Sequence, residues 1–327
     1  MIELGDIDLV YTWCDAADDA FRSKRNALAE RLGVPLTGGT NGSCRYCSND
    51  ELRYSMRSVD MYMPWVRRVF LVIDDDITPP SWLNQDCDAL RIVRLGEIMA
   101  PENLPCFNST SIEFHLPNIP GLGERFLYSN DDMFACAPIA PSFFFADDGY
   151  PYFRYRASKI DLDGDPPQDN YLFRVWKSFR FIRSEFGSVG DFAKACGWLS
   201  HHNIDAYCKS DMLEFRNRYR ELVEETVKYP FRSAEQYHRE IFNGFALARG
   251  HGHFRMIKRP WYEVLFGAPH RDSYYFSPGR QTLTRDLKRI NPKLFCMNDN
   301  ADVSDEDRKT GRAFLEQTFA VKSRFER

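Results

Sequence analysis

The sequence predicts an α/β fold with a mostly parallel sheet and a helical C-terminal elaboration. Through about residue 150, short runs of β-branched and aromatic residues alternate with helical patterns, and strands separated by helices favour a parallel sheet with right-handed crossovers. Beyond about residue 160, helical patterns dense in aromatic side chains follow a turn-forming cluster. We therefore divide the chain into an α/β region, residues 1–160, and a helical region, residues 161–327, which together complete one site.

Each predicted element has its own local signal. Runs of β-branched and aromatic residues predict strands, and apolar residues at helical spacing predict helices. The predicted strands, in chain order, are residues 7–13, 69–73, 90–95 and 126–129. The predicted helices are residues 20–32, 50–62, 170–186 and 211–227, with one further short helix at a capping box formed by Thr110 and Glu113.

Acidic side chains follow three of the predicted strands. Asp15 follows the first, residues 74–76 are three Asp after a middle strand, and Asp131 and Asp132 follow the last. In open parallel sheets, ligands bind outside the carboxyl ends of the strands, and carboxylates grouped there suit a divalent cation that shares its coordination with substrate phosphates. The sequence therefore predicts a site for a cation and a diphosphate, although Asp is also an ordinary turn former.

Composition excludes some classes of function. The 327 residues carry 43 basic and 47 acidic side chains, a net charge of -4, so no overall basic field exists for nucleic acid. The first residues lack the basic and apolar pattern of a signal peptide, and no run of about 18 apolar residues predicts a membrane span. We therefore expect a soluble, cytoplasmic protein.

The cysteines favour reduced thiols, because there are nine of them, an odd number, scattered along a large chain. Cys44 and Cys47 form the single Cys-x-x-Cys pattern, after a Gly-rich loop. A second pair at zinc-finger spacing is missing, so two ordinary thiols are the default interpretation. A redox or zinc-binding role for the pair is the alternative.

Blocks spread over nearly the whole chain carry a pattern beyond these element signals. They include Val-Tyr-Thr-Trp-Cys-Asp at 10–15, Glu-Leu-Arg-Tyr-Ser-Met-Arg-Ser-Val at 51–59, Asn-Asp-Asp at 130–132, His-His at 201–202 with Phe-Arg-Ser at 231–233, and Lys-Leu-Phe-Cys-Met-Asn-Asp-Asn at 293–300. Together they resemble the Stealth family of hexose-1-phosphate transferases, which includes the N-acetylglucosamine-1-phosphotransferase of lysosomal glycoproteins and bacterial capsular polysaccharide enzymes. The chain departs from that pattern at Ala16, Asn203 and Gln236, where Gly, Pro and Asp are usual.

The resemblance implies a sheet of the glycosyltransferase A type and a reaction. A hexose-1-phosphate would pass from a UDP-sugar to a glycan hydroxyl, with release of UMP, in the synthesis of bacterial capsular polysaccharide or exopolysaccharide. The α/β region would bind the nucleotide sugar, and the helical region would supply acceptor-binding and catalytic groups. The implied partners are a UDP-hexose donor, a glycan acceptor and Mg²⁺ or Mn²⁺.

Specific residue types suit this reaction. A cation neutralises charge on the departing UMP, a histidine accepts the hydroxyl proton, and an arginine fork matches the phosphoryl oxygens. A surface histidine pair, an arginine paired with a nearby Glu and a turn at residues 298–300 are the alternatives. The predicted catalytic residues are Asp132, Arg232 and one of His201 and His202, and the predicted metal ligands are Asp131, Asp132 and Asp299.

A further group of residues is predicted to bind the nucleotide sugar. Arg53 and Arg57, one helical turn apart, share a face that can reach phosphates, or they form a charge ladder with Asp50 and Asp60. The end of the first strand offers aromatic rings for a base, or these rings belong to the core. The predicted set is Tyr11, Thr12, Trp13, Asp15, Arg53, Arg57 and Asn108.

Two rival functions stay open from the sequence. A metal-dependent glycosyltransferase would use similar acidic residues and release UDP. A non-catalytic glycan-binding subunit would keep the scaffold without turnover. Peripheral association with the inner face of a membrane is also left open, since the acceptor could be lipid-linked.

Overall fold

The computed structural model describes residues 7–257, 272–279, 283–300 and 302–327. We number the strands and helices of these residues in chain order. The strands are β1 (Ile7–Thr12), β2 (Val69–Ile73), β3 (Leu90–Arg94), β4 (Arg125–Asn130), β5 (Met133–Ala135), β6 (Tyr152–Lys159), β7 (Trp198–Ser200), β8 (Asp205–Cys208), β9 (His253–Met256), β10 (Ser273–Phe276) and β11 (Leu294–Met297). The helices are α1 (Asp19–Leu32), α2 (Gly38–Asn41), α3 (Glu51–Tyr62), α4 (Leu95–Ile98), α5 (Ser109–Glu113), α6 (Asn170–Phe186), α7 (Gly190–Ala195), α8 (Lys209–Arg218), α9 (Arg220–Val227), α10 (Glu240–Ala248), α11 (Leu283–Ile290) and α12 (Asp305–Thr318).

A five-stranded sheet with the order β3-β2-β1-β4-β8 forms the centre of the fold. β1 pairs in parallel with β2 and β4, and β2 pairs in parallel with β3. The edge strand β8 runs antiparallel to β4. All of β2 is buried, as expected for a parallel strand that is covered on both faces. The predicted α/β class with a mostly parallel sheet is therefore confirmed.

Successive side chains of the central strands enter two separate cores. Val10 and Phe126 pack in one core with residues of α6 and α10. Their neighbours Leu9 and Leu127 pack in the other core with residues of α1 and α3. This division follows from the alternation of side chains along a strand. Helices thus cover both faces of the sheet.

Two short strands attach the C-terminal half of the chain to the N-terminal half. β8 pairs with β4, with Asp205 opposite Tyr128. β11 lies between β10 and β5, with Phe295 opposite Phe134. Because β4 and β5 flank Asp131, both pairings bring distant segments next to the acidic residues that follow β4. The division of the chain at residue 160 remains a prediction.

The predicted helices agree with the structure except in two places. Helix α6 has the predicted bounds, but residues 211–227 form α8 and α9, because Tyr219 leaves the helical conformation with φ of -118° and ψ of 49°. Helix α5 is capped by the Asn108 side chain, which accepts the N–H of Thr110. The predicted capping box is therefore wrong, since Thr110 and Glu113 both lie inside α5. Within the described ranges, no helix combines the length and apolarity that a membrane crossing needs.

Candidate active site

A cleft of about 1110 Å³ lies at the carboxyl ends of β1, β2 and β4. Thr12, Asp74 and Asn130, each at or just after the end of one of these strands, line it. Residues 201–202 and 297–299 line it from the other half of the chain. The cleft is thus built by segments that are far apart in the sequence.

One end of the cleft, formed by Glu51, Asp131 and Asp132, is acidic. Burial, and then the charges of Glu51 and Asp132, raise the pKa of the Asp131 carboxyl well above its usual range. Burial raises the pKa of Asp132 to about 7, against a hydrogen bond from Cys296 that lowers it. Burial also raises the pKa of Glu51, and the charge of Asp299 adds to this shift. Negative charge is therefore crowded here, and a cation would relieve the repulsion.

The donor atoms at this acidic end fit a divalent cation. Asp132, His202 and Cys296 each offer one ligand atom, and these atoms lie within 4.8 Å of one another. Oδ1 of Asp132 is buried and accepts no hydrogen bond from the described residues, and a cation would supply the missing partner. Carboxylate oxygens suit Mg²⁺ or Mn²⁺, whereas imidazole and thiolate favour softer metals such as Zn²⁺.

Asp299 lines the same cleft, but its carboxylate is already engaged. Arg308 donates to it from Nε at 2.7 Å and from Nη2 at 3.2 Å. A bidentate arginine bond fixes the orientation of a carboxylate, whose remaining lone pairs can still accept. The predicted metal role of Asp299 therefore stays a prediction.

The two neighbouring histidines have different surroundings. The His201 ring is buried, and its Nε2 lies 3.1 Å from Oδ1 of Asp205. The His202 ring is exposed within the cleft and faces the ring of Tyr275 edge-on at 5.6 Å. The cleft walls, and then the charge of Arg239, lower the pKa of His202 to about 4. His202 thus presents its ring to the cleft, while His201 is tied to the structure behind it.

A buried chain of polar groups supports the wall behind the histidines. Oδ2 of Asp205 accepts a 2.5 Å hydrogen bond from Nη1 of Arg239, whose Nε lies 3.7 Å from Oε1 of Glu113. Glu113 accepts from the Tyr128 hydroxyl at 3.1 Å, and that hydroxyl lies 3.0 Å from Oγ1 of Thr12. Such bonds are strong in a low-dielectric interior. These linked polar side chains therefore fix β8 relative to the ends of β1 and β4.

The other end of the cleft, around Arg232, is basic. Arg232 donates from Nη1 to the carbonyl oxygen of Thr40 at 3.2 Å and from Nη2 to Oγ of Ser109 at 2.8 Å. The side chain of Asn41 and the backbone of Arg232 exchange two hydrogen bonds of 3.2 Å. The guanidinium is thus held in place by neutral oxygens, and the alternative of simple pairing with a nearby Glu is not observed among the described residues.

Asn108 and Gln236 fasten the segment that carries Arg232 to α5. Nδ2 of Asn108 donates to two carbonyl groups of residues 229–231 and to Oε1 of Gln236 at 2.9 Å. Nε2 of Gln236 donates to the carbonyl oxygen of Thr226 at 2.7 Å. Both side chains are fully buried. Gln236 thus uses both ends of its amide, whereas the Asp that is usual in the family pattern could only accept when ionised.

The structure separates the predicted nucleotide-sugar-binding residues into two groups. Tyr11 is buried, with its hydroxyl 2.8 Å from Oγ of Ser55. Arg53 and Arg57 both bind Glu326 and do not form the alternative ladder with Asp50 and Asp60. Thr12, Trp13 and Asn108 line the cleft, whereas Tyr11, Asp15, Arg53 and Arg57 lie outside its lining.

Cys44 and Cys47 line the cleft as unbridged thiols. Neither belongs to the group of possible metal ligands that the described residues form. Their default interpretation as ordinary thiols and the alternative redox or zinc role both stay predictions.

The sequence patterns did not identify several charged residues of the site. The signal that could have identified some of them is a charged residue inside an apolar run. Asp205 lies between Ile204 and Ala206, Arg239 precedes the apolar helix α10, and Glu240 is its first residue. Charged side chains are rarely buried unless they are paired or functional. The missed charged residues that line the cleft include Arg45, Glu51, Glu113, Arg156, Asp169, Arg174, Arg239 and Glu240.

Comparison with known proteins identifies relatives of this chain. Residues 45–153 match the family model described as Stealth protein CR2, conserved region 2. An exopolysaccharide phosphotransferase of Streptomyces coelicolor is 34% identical over 330 residues, which cover 98% of this chain and 52% of the relative. The exopolysaccharide phosphotransferase CpsY of Mycobacterium tuberculosis is 31% identical over 331 residues, which cover 98% of this chain and 58% of the relative. The chain thus spans about half the length of the curated relatives it matches.

Among solved structures, the galactosyltransferase LgtC in complex with donor and acceptor sugar analogues is similar over 96% of this chain and 95% of its own, with 13% identity and a TM-score of 0.45. A likeness of this degree supports no inference about activity. The fold and the cleft define the class, an α/β protein with a charged cleft at the carboxyl edge of its sheet. The sequence matches confirm the resemblance: residues 45–153 match a conserved region of the Stealth proteins, as the sequence blocks predicted.

Proposed function

We propose that this chain transfers a hexose-1-phosphate, such as N-acetylglucosamine-1-phosphate, from a UDP-sugar to a glycan hydroxyl. The acceptor oxygen forms a bond to the sugar-proximal phosphorus, and the bond from that phosphorus to the departing UMP oxygen breaks. The hydroxyl proton passes to a base. The product is a phosphodiester in a bacterial capsular polysaccharide or exopolysaccharide, in line with the names of the relatives.

The observation that carries this proposal is that carboxylates and arginines line one cleft. Asp131 and Asp132 lie at the acidic end, and Arg232 lies at the basic end. Both charges reach the Cys14 thiol: burial and the charge of Asp131 raise its pKa, and the charge of Arg232 opposes the shift. A single sugar nucleotide can therefore meet both ends, as phosphoryl transfer requires.

The acidic end would hold Mg²⁺ or Mn²⁺ through Asp131 and Asp132, with Asp299 as a third donor. When bound, the cation supplies charge neutralisation for the diphosphate and the departing UMP. The carboxylates of Glu51, Asp131 and Asp132 lie close together and repel one another, so the binding of positive charge is favoured.

The two histidines have different roles in this proposal. His202 removes the proton of the acceptor hydroxyl, because its ring is open to the cleft. His201 positions this turn through its contact with Asp205. Arg232 binds the equatorial phosphoryl oxygens, where charge develops during transfer, and the hydroxyl of Ser109 keeps its fork in place.

The test is to incubate the purified protein with UDP-hexoses, Mg²⁺ or Mn²⁺ and glycan acceptors, and to separate UMP from UDP by chromatography. UMP release with an acceptor mass gain of hexose plus phosphate supports the proposal. UDP release with a gain of hexose alone makes the chain a glycosyltransferase. Binding of the sugar nucleotide without any turnover makes it a glycan-assembly subunit.

The proposal includes a location. UDP-sugars are substrates of the cytoplasm, so the enzyme would work there, at the inner face of the membrane where the acceptor is lipid-linked. Cell fractionation tests this, because peripheral association through charge is released by high salt. Recovery from outside the cell would contradict it.

A further inference from the structure

A second arginine, Arg174 on α6, lies at the basic end of the cleft beside Arg232. The residue is 6% exposed. Nη1 donates to Oγ1 of Thr110 at 2.8 Å, and Nε donates to the carbonyl oxygen of Asn170 at 3.4 Å. Thr110 adjoins Ser109, which accepts from Arg232. Two neighbouring hydroxyl groups of α5 therefore hold two guanidinium groups side by side.

This arrangement is costly without a ligand. Burial, and then the charge of Arg232, lower the pKa of Arg174 to about 10. Burial, and then the charge of Arg45, lower the pKa of Arg232 in the same way. Like charges that are taken out of water repel one another and lose solvation. The two guanidinium groups therefore need negative charge from elsewhere.

The described part of the chain supplies little of that charge. No carboxylate in it lies within the 4.0 Å ion-pair distance of either guanidinium, and the hydrogen bonds of both groups go to carbonyl and hydroxyl oxygens. Glu113 acts on both arginines from a distance, and it already contacts Arg239 and the Tyr128 hydroxyl. A purely structural tie between α6 and α5 would need a hydrogen bond and no charge, so a neutral side chain would serve it better.

We propose that Arg174 and Arg232, with the hydroxyl groups of Ser109 and Thr110, form a phosphoryl-binding subsite at the basic end of the cleft. Its ligand is a phosphate ester, because planar guanidinium forks match phosphoryl oxygens and bind them by charge-assisted hydrogen bonds. This inference rests on the proposed function for the identity of that ester, and the diphosphate of the donor is the expected occupant. A phosphate carried by the acceptor is the other source of the same chemistry.

The experiment measures binding without turnover. Calorimetric titrations with UDP, inorganic phosphate and uridine, each in the presence of Mg²⁺, compare the wild type with Arg174→Ala and Arg174→Met. The Met variant keeps an apolar stem in case the Ala variant folds poorly. Arg180→Ala is the matched control, since Arg180 is an exposed residue of the same helix that lies over the Trp176 ring at 4.5 Å.

We expect Arg174→Ala or Arg174→Met to weaken UDP binding by about 10- to 100-fold, since a hydrogen bond to a charged group has that effect. Uridine binding and the Arg180→Ala variant should be unchanged. Weaker binding of inorganic phosphate with unchanged UDP binding assigns the subsite to a phosphate of the acceptor. Wild-type affinity for both ligands in a folded Arg174 variant overturns the subsite.

These outcomes are separate from the test of the proposed function. UDP release in place of UMP in the transfer assay overturns the transfer of a sugar phosphate but leaves a phosphoryl subsite standing. Unchanged binding by the Arg174 variants overturns the subsite and leaves the transfer reaction open.

Discussion

Asp132 is predicted both to bind the cation and to take part in catalysis. Its Oδ2 accepts from Cys296 at 3.3 Å, its Oδ1 is buried without a partner among the described residues, and it stands beside Asp131. We predict that Asp132→Asn lowers the rate of UMP release by about 100-fold or more, because a cation contributes several kcal/mol to charge stabilisation. The fold should remain intact, since the substitution removes repulsion with Glu51 and Asp131. Initial rates and thermal melting together measure both effects.

The matched control for this prediction is Asp76→Asn. Asp76 also follows a strand of the central sheet, but it is exposed and lies 2.7 Å from Nζ of Lys24, outside the cleft lining. Its substitution should leave turnover unchanged. An active Asp132→Asn enzyme would contradict the proposed metal role. A similar loss of turnover in both variants would indicate a general effect of charge.

Substitution of the two histidines should have different effects on turnover and on stability. We predict that His202→Ala abolishes turnover with little change in the free energy of unfolding, because its ring is exposed in the cleft. His201→Ala should cost about 1–3 kcal/mol of stability, because it removes a buried partner of Asp205. Urea unfolding and initial rates measure the split. A stable, inactive His201→Ala protein beside an active His202→Ala protein would reverse the two roles.

Arg232 gives a third prediction about a single residue. Arg232→Ala should lower turnover by about 100- to 1000-fold, the range seen when one preorganised donor to a developing charge is removed. The loss should appear in kcat, because the donor acts where charge develops. Steady-state kinetics on the UMP assay measure it, and a change confined to KM would contradict the assigned role.

At the scale of elements, α5 and the segment that precedes α10 act as one unit. Gln236 is fully buried and donates to the carbonyl oxygen of Thr226 as well as accepting from Asn108. We predict that Gln236→Glu lowers the free energy of unfolding by about 1–3 kcal/mol, because a carboxylate cannot donate and leaves a buried carbonyl oxygen unpaired. Urea denaturation followed by circular dichroism measures the change.

The control for this element is Gln317→Glu, the same substitution on the exposed face of α12. The free energy of unfolding of this variant should lie within about 0.5 kcal/mol of the wild-type value, as is usual for surface substitutions. Equal stability of the Gln236→Glu protein would show that the segment finds other partners. That result would contradict the prediction that α5 and this segment act as one unit.

At the scale of the whole molecule, the last residues of the chain are fastened to α3. Glu326 accepts from Nε and Nη2 of Arg57, both at 2.7 Å, and from Nε of Arg53 at 2.6 Å. Burial alone would raise the pKa of Glu326, but the bonds from Arg57, the Ser323 amide and Arg53 outweigh it and lower the pKa to about 2. This clamp closes the C-terminal segment onto the N-terminal half.

The clamp predicts a dependence of stability on pH. The folded pKa of Glu326 is depressed, so its contribution is present above the unfolded pKa of about 4.3 and is lost as the pH falls toward 2. Glu326→Gln should cost about 1.5–3 kcal/mol at pH 7 and flatten the change of stability between these pH values. Glu306→Gln, which alters an exposed pair with Lys309, should do neither. Equal acid profiles of wild type and Glu326→Gln would contradict the clamp.

The sequence by itself determined the local elements and the class of fold. The apolar run at residues 69–73 is a buried strand in the structure, and the helix at residues 170–186 has the predicted bounds. Both signals are patterns of apolar residues within a short window, and they depend on the burial of one face or of two. The acidic residues after β4 were likewise predicted to lie at the carboxyl edge of the sheet, because strand direction decides where such residues lie.

Only the tertiary structure decided which distant side chains meet. Register between β8 and β4 places Asp205 behind the histidines, and the fold turns Arg57 toward Glu326 instead of the cleft. Sequence spacing carries no information about such pairings, because they follow from burial and hydrogen bonding between segments far apart in the chain. The sequence therefore named most of the chemical groups, and the packing of the two halves selected which of them share a cleft.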